Sequence, residues 1–179
     1  MHYDLLIQNA RTRRSGAATV DIGIRDAKIE KIADSIDASG GETIDAEGRL
    51  VTESFVNGHL HLCKVHTLER VGEEALTSYK SGSMGGAMTA VELASRVKRE
   101  YDERWIIDNV RRSLDKAIHF GNTHIRAFAD TDTTARLEGV KALIKAREEY
   151  RDRVDVQVVA FPQDGIVRDP GAEDYVREV

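Results

Sequence analysis

The sequence predicts an α/β protein: a small β-sandwich portion over residues 1–50, then strands alternating with helices over residues 51–179. Three observations carry this reading. Short runs rich in Ile, Leu and Val, punctuated by turn residues, fill the first part. After residue 50 the rhythm becomes β-α-β-α-β. That rhythm implies parallel strands joined by right-handed crossovers.

In the first part, Tyr3 to Gln8, Val20 to Arg25, Lys28 to Ala33 and Glu42 to Ile44 read as strands, with Asp26-Ala27, Ser39-Gly40-Gly41 and Glu47-Gly48 as turns. In the second, Leu50 to Asn57 reads as strand, Val91 to Phe120 as largely helical, Thr123 to Ala129 as strand, Thr134 to Tyr150 as helix and Val154 to Phe161 as strand. Leu114, Ala117, Ile118 and then Leu137, Val140, Ile144 recur at helical spacing, and Gly121 stands where a helix C-cap wants a left-handed residue. Asp169-Pro170-Gly171-Ala172-Glu173 opens a last helix. The stretch Lys64 to Ala90 holds Gly72, Gly82, Gly85 and Gly86 with Ser78, Ser81 and Ser83. A connection this long is usually functional or disordered, so it reads as a lid or as a loose insertion. Its place directly after His59-Leu60-His61 favours the lid.

Composition narrows the function classes. With 41% hydrophobic and 32% charged residues, the chain is of ordinary globular type. The 26 basic and 31 acidic residues give a formal charge of −5, which offers no electrostatic case for nucleic acid. Arg11, Arg13 and Arg14, Lys98 with Arg99, and Arg111 with Arg112 form basic clusters that read as solvated faces. The single cysteine, Cys63, excludes an intrachain disulfide framework and suits a reducing compartment. The opening Tyr3-Asp4-Leu5-Leu6-Ile7 lacks the pattern of a signal peptide, and no run reaches the length of a membrane span. The expected location is the cytoplasm, with no membrane partner.

The chemistry-bearing feature is His59-Leu60-His61. If Leu50 to Leu62 is extended, side chains two residues apart face the same way, so both imidazoles can share one metal ion. The competing reading is two ordinary hydrogen-bonded histidines. Gln163, read by itself, is a loop amide.

Four segments carry a family resemblance: Glu42 to Val51, Phe55 to Leu62, Asn122 to Asp130 and above all Val156 to Gly165, which reads VQVVAFPQDG. They resemble the metal-dependent amidohydrolase superfamily, specifically its cytosine deaminase branch, which includes aminotriazine-degrading hydrolases. The resemblance spans the chain apart from Val65 to Ala90. It implies the N-terminal part of a (β/α)8 TIM-like barrel flanked by a β-sandwich, truncated after about three strands. It also implies one divalent metal ion, iron or zinc, and hydrolytic deamination of a cytosine-like heterocycle: a pyrimidine, pterin or aminotriazine. His59 and His61 match the first two metal ligands. Gln163 matches the glutamine that grips the substrate, and its amide offers an acceptor and two donors in one plane.

The later ligands of that family, a histidine after the fifth strand and an aspartate after the eighth, have no counterpart here, so catalytic residues stay unassigned. His66 and His119 read as surface histidines, and His2 and His124 lie at the wrong ends of their strands. Cys63 stands where the family has aspartate and reads as a small buried hydrophobe, while Lys64 keeps the pattern. Ala127-Phe128 stands where the branch has a threonine-histidine pair, which removes two polar groups from near the site and predicts a ring larger or less polar than cytosine. The expected partners are a small heterocyclic substrate and further copies of the chain. The alternative is a non-catalytic small-molecule binder, or an oligomer-forming fragment that needs a partner chain to complete the barrel.

Overall fold

Four strands, β1 (His2–Ala10), β2 (Val20–Arg25), β3 (Lys28–Ala33) and β4 (Ser39–Asp45), form one mixed sheet of order β3-β2-β1-β4. Its hairpins are antiparallel, and β4 returns parallel to β1. Asp26 and Ala27 both take left-handed angles (φ 50° and 56°), the turn whose twist matches two antiparallel strands. The run Ser39-Gly40-Gly41, expected as a turn, begins β4 instead. A side chain there would collide with the neighbouring backbone: a Cβ on Gly40 would lie 2.6 Å from the Glu42 carbonyl oxygen, and one on Gly41 3.1 Å from that of Asp4.

The computed structural model describes residues 2–67, 70–71, 73–80 and 82–179, and the chain divides into two units, Met1–Glu53 and Ser54–Val179. In the first, Ile44, Ile7, Ile22 and Ile32 are register partners in one row across all four strands. Ile22 is buried beside Ala10 and Ala46, while Tyr3, Leu6 and Ile36 form a second small cluster. A sandwich needs a second sheet over this row, and the described residues of the unit supply one sheet only.

The second unit is built on β5 (Phe55–Leu60), β6 (Asn122–Asp130) and β7 (Asp155–Phe161), all parallel, in the order β5-β6-β7. The first of these starts at Phe55 rather than Leu50, whose backbone bridges Arg11. Between β5 and β6 come a 3-10 turn (Leu62–Lys64), α1 (Glu73–Lys80), α2 (Met84–Ser95), a second 3-10 turn (Arg96–Glu100) and α3 (Glu103–His119). Where it is described, the glycine-rich stretch is therefore largely helical rather than a loop. Gly86 N–H donates to Ser83 Oγ at 3.0 Å, a cap that starts α2 despite its glycines. Gly72 and Ser81 lie outside the described residues.

The expected helix over Val91 to Phe120 is interrupted where Asp102 turns extended and caps α3 by accepting from the Trp105 N–H at 3.1 Å. Gly121 (φ 79°) then ends α3 in the left-handed conformation, as the spacing predicts. α4 (Glu138–Tyr150) starts later than Thr134, behind a run of turns, and α5 (Ala172–Glu178) is the last element.

Side-chain alternation along β6 and β7 explains the packing. Ile125, Ala127, Ala129 and Val156 are buried under Ile106, Val110 and Leu114 of α3 and Leu143 and Ala146 of α4. The small residues let α4 lie close: a Cβ on Gly139 would sit 2.9 Å from Cys63 Cβ. On the other side, Val56, His124, Arg126 and Gln157 line an open groove of about 630 Å³. Among the described residues no helix is long and apolar enough to cross a membrane.

Candidate metal and substrate site

The site residues converge where the parallel strands end, the edge at which α/β proteins collect function. His59 is the penultimate residue of β5, and His61 follows that strand, with φ −79° and ψ 74°. Their Nε2 atoms lie 3.3 Å apart. Two nitrogens bound to one tetrahedral ion at 2.0–2.1 Å stand about 3.3 to 3.4 Å apart, so the pair fits two corners of a metal site. Among the described residues no group of three or more His, Cys, Asp or Glu is arranged to hold a metal, so the fit is to two ligands.

Aromatic rings frame the pair. Phe128 stacks on His59 at 4.4 Å with an interplanar angle of 23°, and Phe161 meets His61 edge-on at 5.1 Å. Phe128 thus reaches the histidines, whereas Ala127, its neighbour in the same motif, is fully buried on the helix-covered side of β6. Only one of the two departures at Ala127-Phe128 touches the site. Burial first, then the nearby Lys64 ammonium, lower the His61 imidazole from its ordinary 6.5, against the opposing pull of Asp130. This favours the neutral ring a metal requires. His61 Nδ1 is buried without a hydrogen-bond partner among the described residues.

Two ion clusters, each built on a buried carboxylate, lie at the same ends of the strands. Lys64 Nζ pairs with Asp130 Oδ1 at 2.9 Å and donates to Gln163 Oε1. Asp130 has no exposed surface, and its Oδ2 accepts from Tyr101 Oη at 3.1 Å. Burial, then the neighbouring Cys63 and Asp130, push the Tyr101 phenol upward, so it remains a donor. Lys98 Nζ lies 2.7 Å from both Asp132 Oδ2 and Asp164 Oδ2. Lys64, Lys98, Tyr101, Asp130 and Gln163 share a pocket of about 140 Å³.

Lys98 was expected on a solvated face with Arg99, and it is 2% exposed. Its partners follow the ends of β6 and β7, far away in sequence, so no local spacing announces the cluster. The available signal was two carboxylates at a strand end, Asp130 as the last residue of β6 and Asp132 just after it. Cys63 is buried in the core, as a small hydrophobe would be. His66 and His119 are exposed, and His124 lines the open groove near the start of β6.

Residues 42–177 match the sequence model of the amidohydrolase family. The chain belongs to that family. It is 31% identical over 176 residues to N-isopropylammelide isopropyl amidohydrolase of Pseudomonas sp. (strain ADP), a match covering 98% of this chain and 42% of that protein. Its structure superposes on that of 5-methylcytosine deaminase from Klebsiella pneumoniae liganded with 5-fluorocytosine with a TM-score of 0.76 and 27% identity, covering 95% of this chain and 39% of that one. N-isopropylammelide isopropylaminohydrolase from Burkholderia multivorans ATCC 17616 gives a TM-score of 0.63 and 27% identity, with 97% and 41% covered. The chain spans about two fifths of the length of these amidohydrolase relatives.

Proposed function

We propose that this chain is the N-terminal part of a cytoplasmic, metal-dependent hydrolase that removes an amine from a cytosine-like heterocycle: a pyrimidine, pterin or aminotriazine. In this reading β5, β6 and β7 are the first strands of a (β/α)8 barrel over residues 51–179, and residues 1–50 belong to a β-sandwich flank. The observation that carries it is the 3.3 Å separation of His59 Nε2 and His61 Nε2 at a parallel strand end. The names of the relatives, a deaminase and amidohydrolases of nitrogen heterocycles, support the reaction class.

His59 and His61 would hold one divalent ion, iron or zinc. When bound, such an ion supplies Lewis-acid activation of water near neutral pH. Phe128 against His59 and Phe161 against His61 present an apolar wall, which suits a ring less polar than cytosine. Gln163 orients the ring through its amide. A catalytic site of this kind takes three protein ligands, so the remaining ligand and the acid-base residues come from outside the described residues in this reading.

Metal analysis of the purified full-length protein tests it. About one iron or zinc per chain is expected, and His59→Ala or His61→Ala should remove both metal and ammonia release. Full metal retention in both variants overturns the ligand assignment. One observation favours a second reading: the described residues offer two ligands and not three. It is a chain that assembles with copies of itself or with a partner that completes the barrel. Size-exclusion chromatography combined with an ammonia-release assay separates the two, because an active monomer excludes the second reading.

A further inference from the structure

Gln163 is held by a donor. Lys64 Nζ meets the Gln163 side chain, and an ammonium carries three donors and no acceptor, so the amide atom facing it is Oε1. The amide's N–H edge is left over, and among the described residues nothing accepts from it.

Lys64 is itself fixed. It lies 2.9 Å from Asp130 Oδ1, and Asp130 is fully buried with its other oxygen taken by Tyr101. Turning the amide over would set its NH2 group against the ammonium, donor to donor, inside a partly buried pocket. We infer that Lys64 is a positioning residue that locks the Gln163 amide with its N–H edge outward. The site would then select rings that present an acceptor at that edge, an oxo group or an unprotonated ring nitrogen, over rings that present an amino group. This deepens the substrate reading above and rests on Gln163 facing the substrate. It also narrows the expectation that the amide offers an acceptor and two donors to the ring.

The test is equilibrium dialysis of the metal-loaded full-length protein against 1-methyl-2-pyridone, which presents an oxo acceptor and no ring N–H, and aniline, which presents an amino group and no ring nitrogen. The wild-type protein should prefer the oxo ring by about tenfold or more, because an amino group there leaves donors facing donors. Removing Lys64 alone would strand the buried Asp130 charge, so the informative variant is Lys64→Met with Asp130→Asn. It should bring the preference close to parity while the iron or zinc content stays unchanged, and Lys64→Arg, which keeps a donor, should retain the preference. A wild-type protein indifferent to the two rings overturns the inference without any variant. So does a double variant that keeps the preference while Gln163→Leu weakens both rings. If Gln163→Leu leaves both affinities untouched, the substrate role of Gln163 itself fails, an outcome distinct from the other two, and the inference falls with it.

Discussion

In the second unit, α3 and α4 cover β6 and β7 until Leu114, Ala127, Ala129 and Leu143 have no exposed surface. In the first unit, Ile29, Ile32 and Ile44 remain 63%, 55% and 45% exposed. The buried charges follow the same division. Lys98, Asp130 and Asp132 sit in the covered unit at 2% exposure or less. Among the described residues of the open unit the one buried charge is Asp21, whose oxygens accept from the Asn9 and Ile36 backbone N–H groups at 3.0 and 2.9 Å. A carboxylate can be held by backbone donors in a thin sheet, whereas a lysine needs carboxylates brought from other elements and walls that exclude water. Layered packing is thus the condition for these buried charges.

The largest expected effect is at Lys98. Lys98→Met strands Asp132, which is 1% exposed, and should cost about 3 to 5 kcal/mol, with more exposed Asp164 contributing little. Urea unfolding measures this, and a loss below about 1 kcal/mol would mean the second unit gains little from the pair. The pH dependence has a definite sign. Burial opposes the Asp132 charge, but the Ala135 N–H and the Lys98 ammonium outweigh it and hold the carboxyl below its ordinary 3.8. That stabilisation is present above 3.8 and is lost as pH falls through the lowered folded value. Burial likewise opposes the Lys98 charge, but its bonds to Asp132 and Asp164 raise it above 10.5. This contribution is complete below 10.5 and is lost as pH rises through the raised folded value. The deficit of Lys98→Met should therefore be flat across neutral pH and shrink at both extremes.

A paired substitution sharpens the contrast between the sheets. Leu114→Ala, in the covered core, should cost about 2 to 5 kcal/mol. Ile32→Thr, on the open sheet, should stay within about 0.5 kcal/mol. Thermal or urea unfolding compares them directly. A cost for Ile32→Thr approaching that of Leu114→Ala would show that the isoleucine row is covered in solution.

The strands and helices of both units were largely legible in the residues, because they rest on local patterns, whereas the single open sheet differs from the expected sandwich. Strand alternation placed β1 to β3, β6 and β7 within a few residues, and Gly121 marked the end of α3. The two histidines were found because period-two geometry acts over three residues, although β5 ends at Leu60 and His61 leaves the strand. What escaped depends on contacts between distant segments. Glycine content hid α1 and α2, and the start of α2 is set by a serine cap rather than by composition. Lys98 sits among charged neighbours, so nothing local distinguishes it from a solvated lysine. Its burial exists only once the segments after β6 and β7 meet it.

Cys63 is the only cysteine in the chain and is 2% exposed, wedged against Gly139 of α4, with its sulfur accepting from the Asp130 N–H at 3.3 Å. Burial, then the Asp130 charge, push its thiol up to about 12. Alkylating reagents attack the thiolate, so this sulfur stays silent at neutral pH for as long as α4 and the end of β6 remain closed around it. The chain therefore carries a built-in reporter of its own opening, and a thiol introduced on the surface can be labelled selectively without first removing the native one.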